Sequence, residues 1–397
     1  MSGWQYQPIN MLGFVQTGST PRTSEAHFYG GDIPFVTPAE LDQTDPIITA
    51  PRTLSEIGGR EARLVPEGTI LVCCIGSLGK VGIAGRTIAV NQQINSIEFD
   101  RRVIWPRFGF YACRLLKPIM ENMAPATTLP IISKSKFEKL QIPVPPLAKQ
   151  QQIAEALDRA EALRTKRRIG LAQLDFLVQS VFISMFGDPA TNPKGWKTTQ
   201  LHELVNEFRY GTSNKSEAQG KPALRIPNIV CGIIDLTDLK LVPVDDDEFK
   251  RLRLVNGDIL FVRTNGNPNF VGRCAIFDSA LAASSGFPSD EFIFASYLIR
   301  ARLGKDRITP IFIREFMLGT EGRKELRSRS KTSAGQFNIN TENLGSISIP
   351  LPPLDLQREF ASRVTTMEKL KAVDIASLAK MDELFAALQY RAFQGEL

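Results

Sequence analysis

Two stretches of the chain place apolar residues every third or fourth position over many turns. The first carries Ile153, Leu157, Ala160, Leu163, Leu171, Leu174, Leu177 and Val181; the second carries Phe360, Val364, Met367, Leu370, Leu378, Met381, Leu384 and Leu388. With charged residues on the remaining faces, this period predicts two long amphipathic helices whose a/d-like seams are interrupted near Arg167 and Asp374. Pro145-Pro146 and Pro352-Pro353 cannot lie inside a helix and mark where the two helices begin, while Gly187-Asp188-Pro189 ends the first. Upstream of each helix the apolar positions gather into short strand-like runs: Ile33-Phe35-Val36, Thr69–Ile75, Val81–Ala84 and Ile94–Phe99, then Ile229–Ile234, Ile259–Val262, Cys274–Phe277 and Phe292–Arg302. Glycine-rich punctuation separates them. Each half therefore reads as an α+β domain with a twisted, mostly antiparallel sheet and a few helices.

The two halves are copies. Ile142, Pro143, Pro145, Pro146, Leu147 and Gln150 match Ile349, Pro350, Pro352, Pro353, Leu354 and Gln357 at one constant spacing. The same spacing holds through Leu163/Leu370, Leu171/Leu378, Leu177/Leu384 and Phe186/Phe393. Gly3-Trp4 and Gly195-Trp196 each open a half at a shorter spacing, and Val81-Gly82 echoes Val271-Gly272. The second half thus carries extra residues, expected in its Gly286–Lys331 region. So long a period excludes a solenoid and indicates a domain plus tail, duplicated. The predicted order is a domain at 1–148, a helix at 149–187, a second domain at 188–354 and a second helix at 355–397. The helices either pack as ordinary amphipathic helices on their own domains or pair antiparallel as a spacer, with the domains related by a pseudo-two-fold axis. Connectivity favours the pair, since the second helix is free to return towards the first domain.

Composition narrows the class. The chain has 397 residues, 43% hydrophobic and 23% charged, which fits two or three globular units rather than disorder. Its longest uninterrupted apolar run, Ile70–Ile75, is far short of the roughly 20 residues a membrane helix needs, and MSGWQYQPIN has no basic, apolar leader pattern. The five cysteines (Cys73, Cys74, Cys113, Cys231, Cys274) show no CxxC spacing, so a reducing cytoplasm is expected. Two unpaired histidines, His27 and His202, argue against a zinc centre or histidine-driven catalysis. The net charge of +6 permits nucleic-acid binding without requiring it.

Motifs for catalysis are missing: no GxxxxGK[ST] loop, no GxGxxG after a strand, no adenine-methyltransferase pair. Gly76-Ser77-Leu78-Gly79-Lys80 is too short for a Walker loop, and Asp245–Lys250 (DDDEFK) reads better as a solvated acidic turn than as a nuclease site. What remains is binding. Ser77 and Lys80 sit in a glycine-rich strand-end loop where amides and an ammonium could meet a phosphate, or where a β-turn simply exposes a lysine. The equivalent loop of the second half holds Arg263, Thr264, Asn265 and Asn267, and Arg and Asn are suited to base edges in the major groove. Arg323–Gln336, which includes Lys331, Thr332, Ser333 and Gln336, is strongly basic, as a phosphate-contacting segment or a charged surface helix would be.

The ordered pattern resembles the specificity subunit of type I restriction-modification systems over essentially the whole chain. The residues that carry it are IPVPPLAKQQQIAEAL, MFGDPATNPKGW, KTSAGQFNINTENLGSISIPLPPL, and GSLGKVG. The resemblance implies two target-recognition domains separated by two long helices forming an antiparallel coiled coil. Each domain would read one half of a split, asymmetric target in double-stranded DNA, with helix length setting the unread gap. It implies no catalysis and no bound cofactor or metal in this chain. Two DNA adenine methyltransferase subunits would dock on the helices, with Gln150, Ile153, Leu157, Gln357, Phe360 and Val364 as candidate contacts, bringing S-adenosylmethionine. Restriction/translocase subunits would bring ATP and Mg2+. A type IIB-like system, or a coiled-coil scaffold that does not bind DNA, are the alternatives. One departure stands out: PATTLPIIS (125–133) replaces TSAGQFNIN (332–340), so the first domain's loop is expected to be degraded.

Overall fold

The structure, a computed structural model, describes residues 4–124, 129–230, 232–304, 306–333 and 335–396, without the side chains of Asp175 and Ser333. The chain is α+β and divides into two compact units: unit 1 is Met1–Ile169 with Ala376–Leu397, and unit 2 is Gly170–Ile375. The long helices are continuous, Leu147–Phe186 and Leu354–Gln394, so each unit holds the start of one and the end of the other.

In unit 1 the central sheet orders Gly13–Thr17, Ile94–Phe99, Ile70–Cys73 and Val81–Ile83, all antiparallel. Residues on both faces of Ile70–Cys73 are buried, which explains its uninterrupted apolar run. A second sheet orders Thr53–Leu54, Tyr29–Val36, Ile88–Val90 and Leu64–Val65, with Phe35 and Val36 parallel to Ala89 and Val90. Helix Pro106–Arg114 buries Phe108, Phe110 and Tyr111 in the same core as Ile153 and Leu157 of the first long helix and Phe385, Ala392 and Phe393 of the second. Arg164 lies 2.5 Å from Asp382 and 4.3 Å above the Phe385 ring.

Unit 2 repeats this plan. Its central sheet orders Val205–Tyr210, Leu298–Leu303, Ile259–Val262 and Cys274–Ile276. A second sheet orders Lys240–Val242, Lys221–Leu224 and Ile293–Phe294, and Pro310–Leu318 is the core helix. Phe292–Arg302 therefore splits between two sheets, and Ile229–Ile234 forms the pair Ile229–Val230 and Ile233–Ile234. The acidic run is the start of a helix, Asp246–Leu252, rather than a turn: the Asp245 carboxylate accepts a hydrogen bond from Glu248 N. Sheet registers also place the length differences. Ile70 opposite Ile83 corresponds to Ile259 opposite Ile276, so the hairpin loop before Cys274 is longer, and Val81 corresponds to Cys274 rather than Val271. The largest insertion lies between Ile276 and Leu298.

The repeated Gln of the PxPPLxxQ element is a structural latch. Gln150 Oε1 accepts from Trp105 N at 2.8 Å, and its Nε2 donates to Val103 O and Pro145 O, each at 2.8 Å. Gln357 repeats all three bonds, accepting from Thr309 N at 3.0 Å and donating to Arg307 O at 3.1 Å and Pro352 O at 2.9 Å. Trp105 and Thr309 are the N-caps of the two core helices, so each Gln ties a long helix to the core helix of its unit. A ring pair is repeated too: Phe108 with Phe393 at 5.1 Å, and Phe312 with Phe186 at 4.9 Å. Gly187, at φ +83°, ends the first helix and donates its N–H to Ile183 O at 2.8 Å.

Two expectations about the helices are corrected. Gln150, Ile153, Leu157, Gln357, Phe360 and Val364 are all buried in the cores of their own units, where no docking partner reaches them. The apolar period picks out Ile153, Leu157, Phe360 and Val364 because it reports the face turned to any core, whereas Gln150 and Gln357 belong to the PxPPLxxQ element. Conversely the seam is not closed along its length: Leu163, Leu177, Leu370 and Leu384 are exposed, by 43% to 69%. The first long helix also contains a window apolar enough, by length and composition, to cross a membrane, although no uninterrupted apolar run marks it. Its Phe182 and Phe186 are buried in ring contacts with Phe312 and Phe360 in the unit 2 core.

Candidate nucleic-acid interface

In unit 2 the strand Ile259–Val262 leaves the central sheet and continues as Thr264–Asn265, which pairs with Gln336–Asn338, itself paired with Lys331–Ser333. Register brings Thr264 opposite Asn338 and Asn265 opposite Phe337. The Thr264 hydroxyl donates to Gln336 Oε1 at 3.0 Å, which orients the Gln336 amide. Asn265 Oδ1 accepts from Asn267 N, and Asn267 Oδ1 from Asn269 N, both at 2.9 Å; these Asx turns stiffen the loop tip. An open cleft of about 320 Å³ is lined by Ile226, Thr264, Asn265, Gly266, Tyr297 and Gln336.

Three of the expected residues, Thr264, Asn265 and Gln336, thus meet at one cleft. Arg263 is turned aside: its guanidinium lies 4.7 Å over the Tyr210 ring and donates to Ser296 O at 3.4 Å. Asn267 is exposed farther along the loop, and Lys331 and Thr332 are exposed on the outer hairpin strand; the Ser333 side chain lies outside the described residues. The basic stretch is part helix, Thr320–Arg329, where Lys324 pairs with Glu321 and Arg329 with Glu325. Tyr297, exposed by 59%, was not anticipated. Only its place next to Leu298, opposite the end of the Ile259–Val262 strand, reveals it.

Unit 1 builds the same frame. Gly76 and Gly79, at φ +79° and +72°, turn the loop after Ile70–Cys73. A Cβ on Gly79 would stand 2.6 Å from Lys117 Cβ, so no larger residue fits. Ser77 is exposed at the tip, and Lys80 is half-buried, its Nζ donating to Pro38 O at 3.4 Å. Ile75 bridges Ile131 antiparallel, with Gly76 N donating to Pro130 O and Ile132 N to Cys74 O, both at 2.9 Å. In unit 2, Ile339 N donates to Arg263 O at the same distance. The expectation of a degraded loop is therefore corrected only at residues 130–132, where one bridge keeps two backbone bonds in place of the three-stranded sheet of unit 2; Pro125, Ala126, Thr127 and Thr128 lie outside the described residues.

Thiol chemistry is absent from these loops among the described residues. Cys73, Cys74, Cys113 and Cys274 are buried and unbridged, and burial pushes the Cys74 and Cys274 thiols up to about 12. Cys231 lies outside the described residues.

Residues 1–172 match the family of the type I restriction modification DNA specificity domain. The chain is 25% identical to the type I restriction enzyme EcoKI specificity subunit of Escherichia coli (strain K12), over 100% of this chain and 89% of that one. It is 24% identical to the StySPI specificity subunit of Salmonella potsdam, with the same coverage. Among solved structures, a chain from a type I R-M system studied for complex assembly and conformational transition matches at a TM-score of 0.60 and 17% identity, covering 100% of this chain and 99% of that one. The S subunit of a type I restriction-modification system from M. genitalium matches at 0.59 and 16%, covering 98% and 96%; both share this fold. Residues 1–172 thus match the type I restriction modification DNA specificity domain family, and over its full length the chain is similar to type I restriction enzyme specificity subunits.

Proposed function

We propose that this chain is the DNA-specificity subunit of a type I restriction-modification complex, a recognition protein whose partners perform the catalysis. The observation that carries this is a single strand-end platform built twice and furnished differently, in a chain similar along its length to specificity subunits. A repeated frame with different side chains suits the reading of two unlike half-sites. In unit 2 the Asn265 and Gln336 amides match adenine's N6 and N7 edge, and exposed Lys331 and Arg327 are placed to meet phosphates. Lys80 and Ser77 serve phosphates in unit 1.

The helices pair as an antiparallel coiled coil in this reading, and their length sets the unread gap. Two adenine methyltransferase subunits dock on exposed apolar positions such as Phe176, Leu177, Val373 and Leu384, rather than on the buried residues that the apolar period picks out. Those subunits bring S-adenosylmethionine, and restriction/translocase subunits bring ATP and Mg2+. The test is methylation-sensitive sequencing of DNA from cells carrying an active partner methyltransferase, with and without this chain. Disappearance of a bipartite methyl-adenine motif on deletion supports the reading. An unchanged set of methylated motifs contradicts it.

A further inference from the structure

Matching backbone registers allow the two platforms to be compared position by position. Ile75 opposite Ile131 in unit 1 takes the place of Thr264 opposite Asn338 in unit 2. Leu129 therefore stands where unit 2 has Gln336, Ile131 where it has Asn338, and Gly76 where it has Asn265. Cys73 opposite Ile94 matches Val262 opposite Leu298, which puts Gln93 in the place of Tyr297.

The side chains differ in kind. Where unit 2 presents amides, unit 1 presents two exposed hydrocarbons, Leu129 (52%) and Ile131 (47%). Gly76 leaves a bare floor between flanking groups: a Cβ there would be 3.5 Å from Leu129 Cδ1 and 3.8 Å from Gln93 Nε2. Three exposed lysines belong to the segments that build this platform: Lys117 packs against Gly79, and Lys134, which pairs with Glu138 at 3.3 Å, and Lys136 follow Ile131 in sequence. Exposed lysines in these segments suit a polyanion, and an apolar patch among them suits a methyl group on it. In the major groove that group is the C5 methyl of thymine, which leucine and isoleucine can cover and amides cannot match as well.

We propose that unit 1 identifies thymine in its half-site, by laying Leu129 and Ile131 against C5-methyl groups in the major groove. The inference rests on the DNA-reading role proposed above and adds the base class that one unit reads.

The experiment replaces thymine by uracil, which pairs identically but lacks the methyl, one position at a time in both half-sites. Binding is measured with the full chain in complex with its methyltransferase partner. At one or two positions of a single half-site, uracil is expected to weaken binding about fourfold, the factor for one buried methyl. In Leu129→Ala or Ile131→Ala complexes that loss is expected to vanish, with the salt dependence unchanged. Specific binding with no uracil effect, a uracil loss that persists in both variants, or half-sites without thymine would each overturn the inference alone. Variants that fail to assemble with the methyltransferase, on DNA indifferent to uracil, would assign the patch to a protein partner and also overturn it. If the parent complex prefers no sequence at all, the DNA-reading role itself fails.

Discussion

Units 1 and 2 share a frame and differ in what its strands present. The Gln150 and Gln357 latches make the same three bonds, and Phe108–Phe393 and Phe312–Phe186 fill the same place in the two cores. Their central sheets diverge. Opposite Leu71, unit 1 has Ser96, whose hydroxyl donates to Gln16 O at 3.1 Å. Opposite Leu260, unit 2 has the fully buried Arg300. Its guanidinium meets the Glu207 carboxylate, donates to Arg253 O at 2.9 Å and lies 4.0 Å from Asp258, which also holds Arg302 at 2.7 Å. Burial pushes the Glu207 carboxyl up, but Arg209 and Arg300 outweigh it and hold the group below its ordinary range. Duplication has kept the bonds that join helix to domain and let the sheet and platform residues drift. A common frame can therefore carry two chemistries.

The largest test of that contrast is Arg300→Ala. It leaves Asp258 with Arg302 and Glu207 with Arg209 as remaining partners and opens a cavity where the buried side chain lay, and unit 2 is expected to lose about 2–4 kcal/mol. Ser96→Ala in unit 1 is expected to cost about 1 kcal/mol or less. Hydrogen exchange resolved by unit measures both, and equal losses would break the contrast. Next come Gln150→Ala and Gln357→Ala, each of which leaves a core-helix cap N–H and two carbonyls without their partner. Matched losses of about 1–3 kcal/mol are expected in the two units by urea denaturation; a loss confined to one would end the claim of a shared latch. The smallest effect is Lys80→Ala, expected to weaken binding to every duplex and to lower the salt slope by about one. A slope identical to the parent's removes Lys80 from the phosphate contacts.

Much of the frame was legible in the sequence. The Pro-Pro steps and Gly187 mark helix ends because proline and a left-handed residue act locally. Strands such as Ile70–Cys73 were legible because both of their faces are buried. Burial partners were not, because period alone does not say which core a face meets: Ile153 and Phe360 read as docking residues and lie in their own cores. The cleft was legible in part. Thr264, Asn265 and Gln336 have the right chemistry in the right loops, whereas Tyr297 comes from a strand start that only sheet register brings beside them. Leu129 and Ile131 look like ordinary apolar residues until the ladder sets them against Gln336 and Asn338.

The most direct test of the central claim is the set of methylated motifs in cells whose only copy of this chain carries Asn265→Ala together with Gln336→Ala. Relaxation of one half of the bipartite motif is expected, worth about 1–3 kcal/mol for each lost bidentate contact, with the other half read as before. Equal relaxation of both halves, or a motif left intact, would contradict the assignment of separate half-sites to the two units.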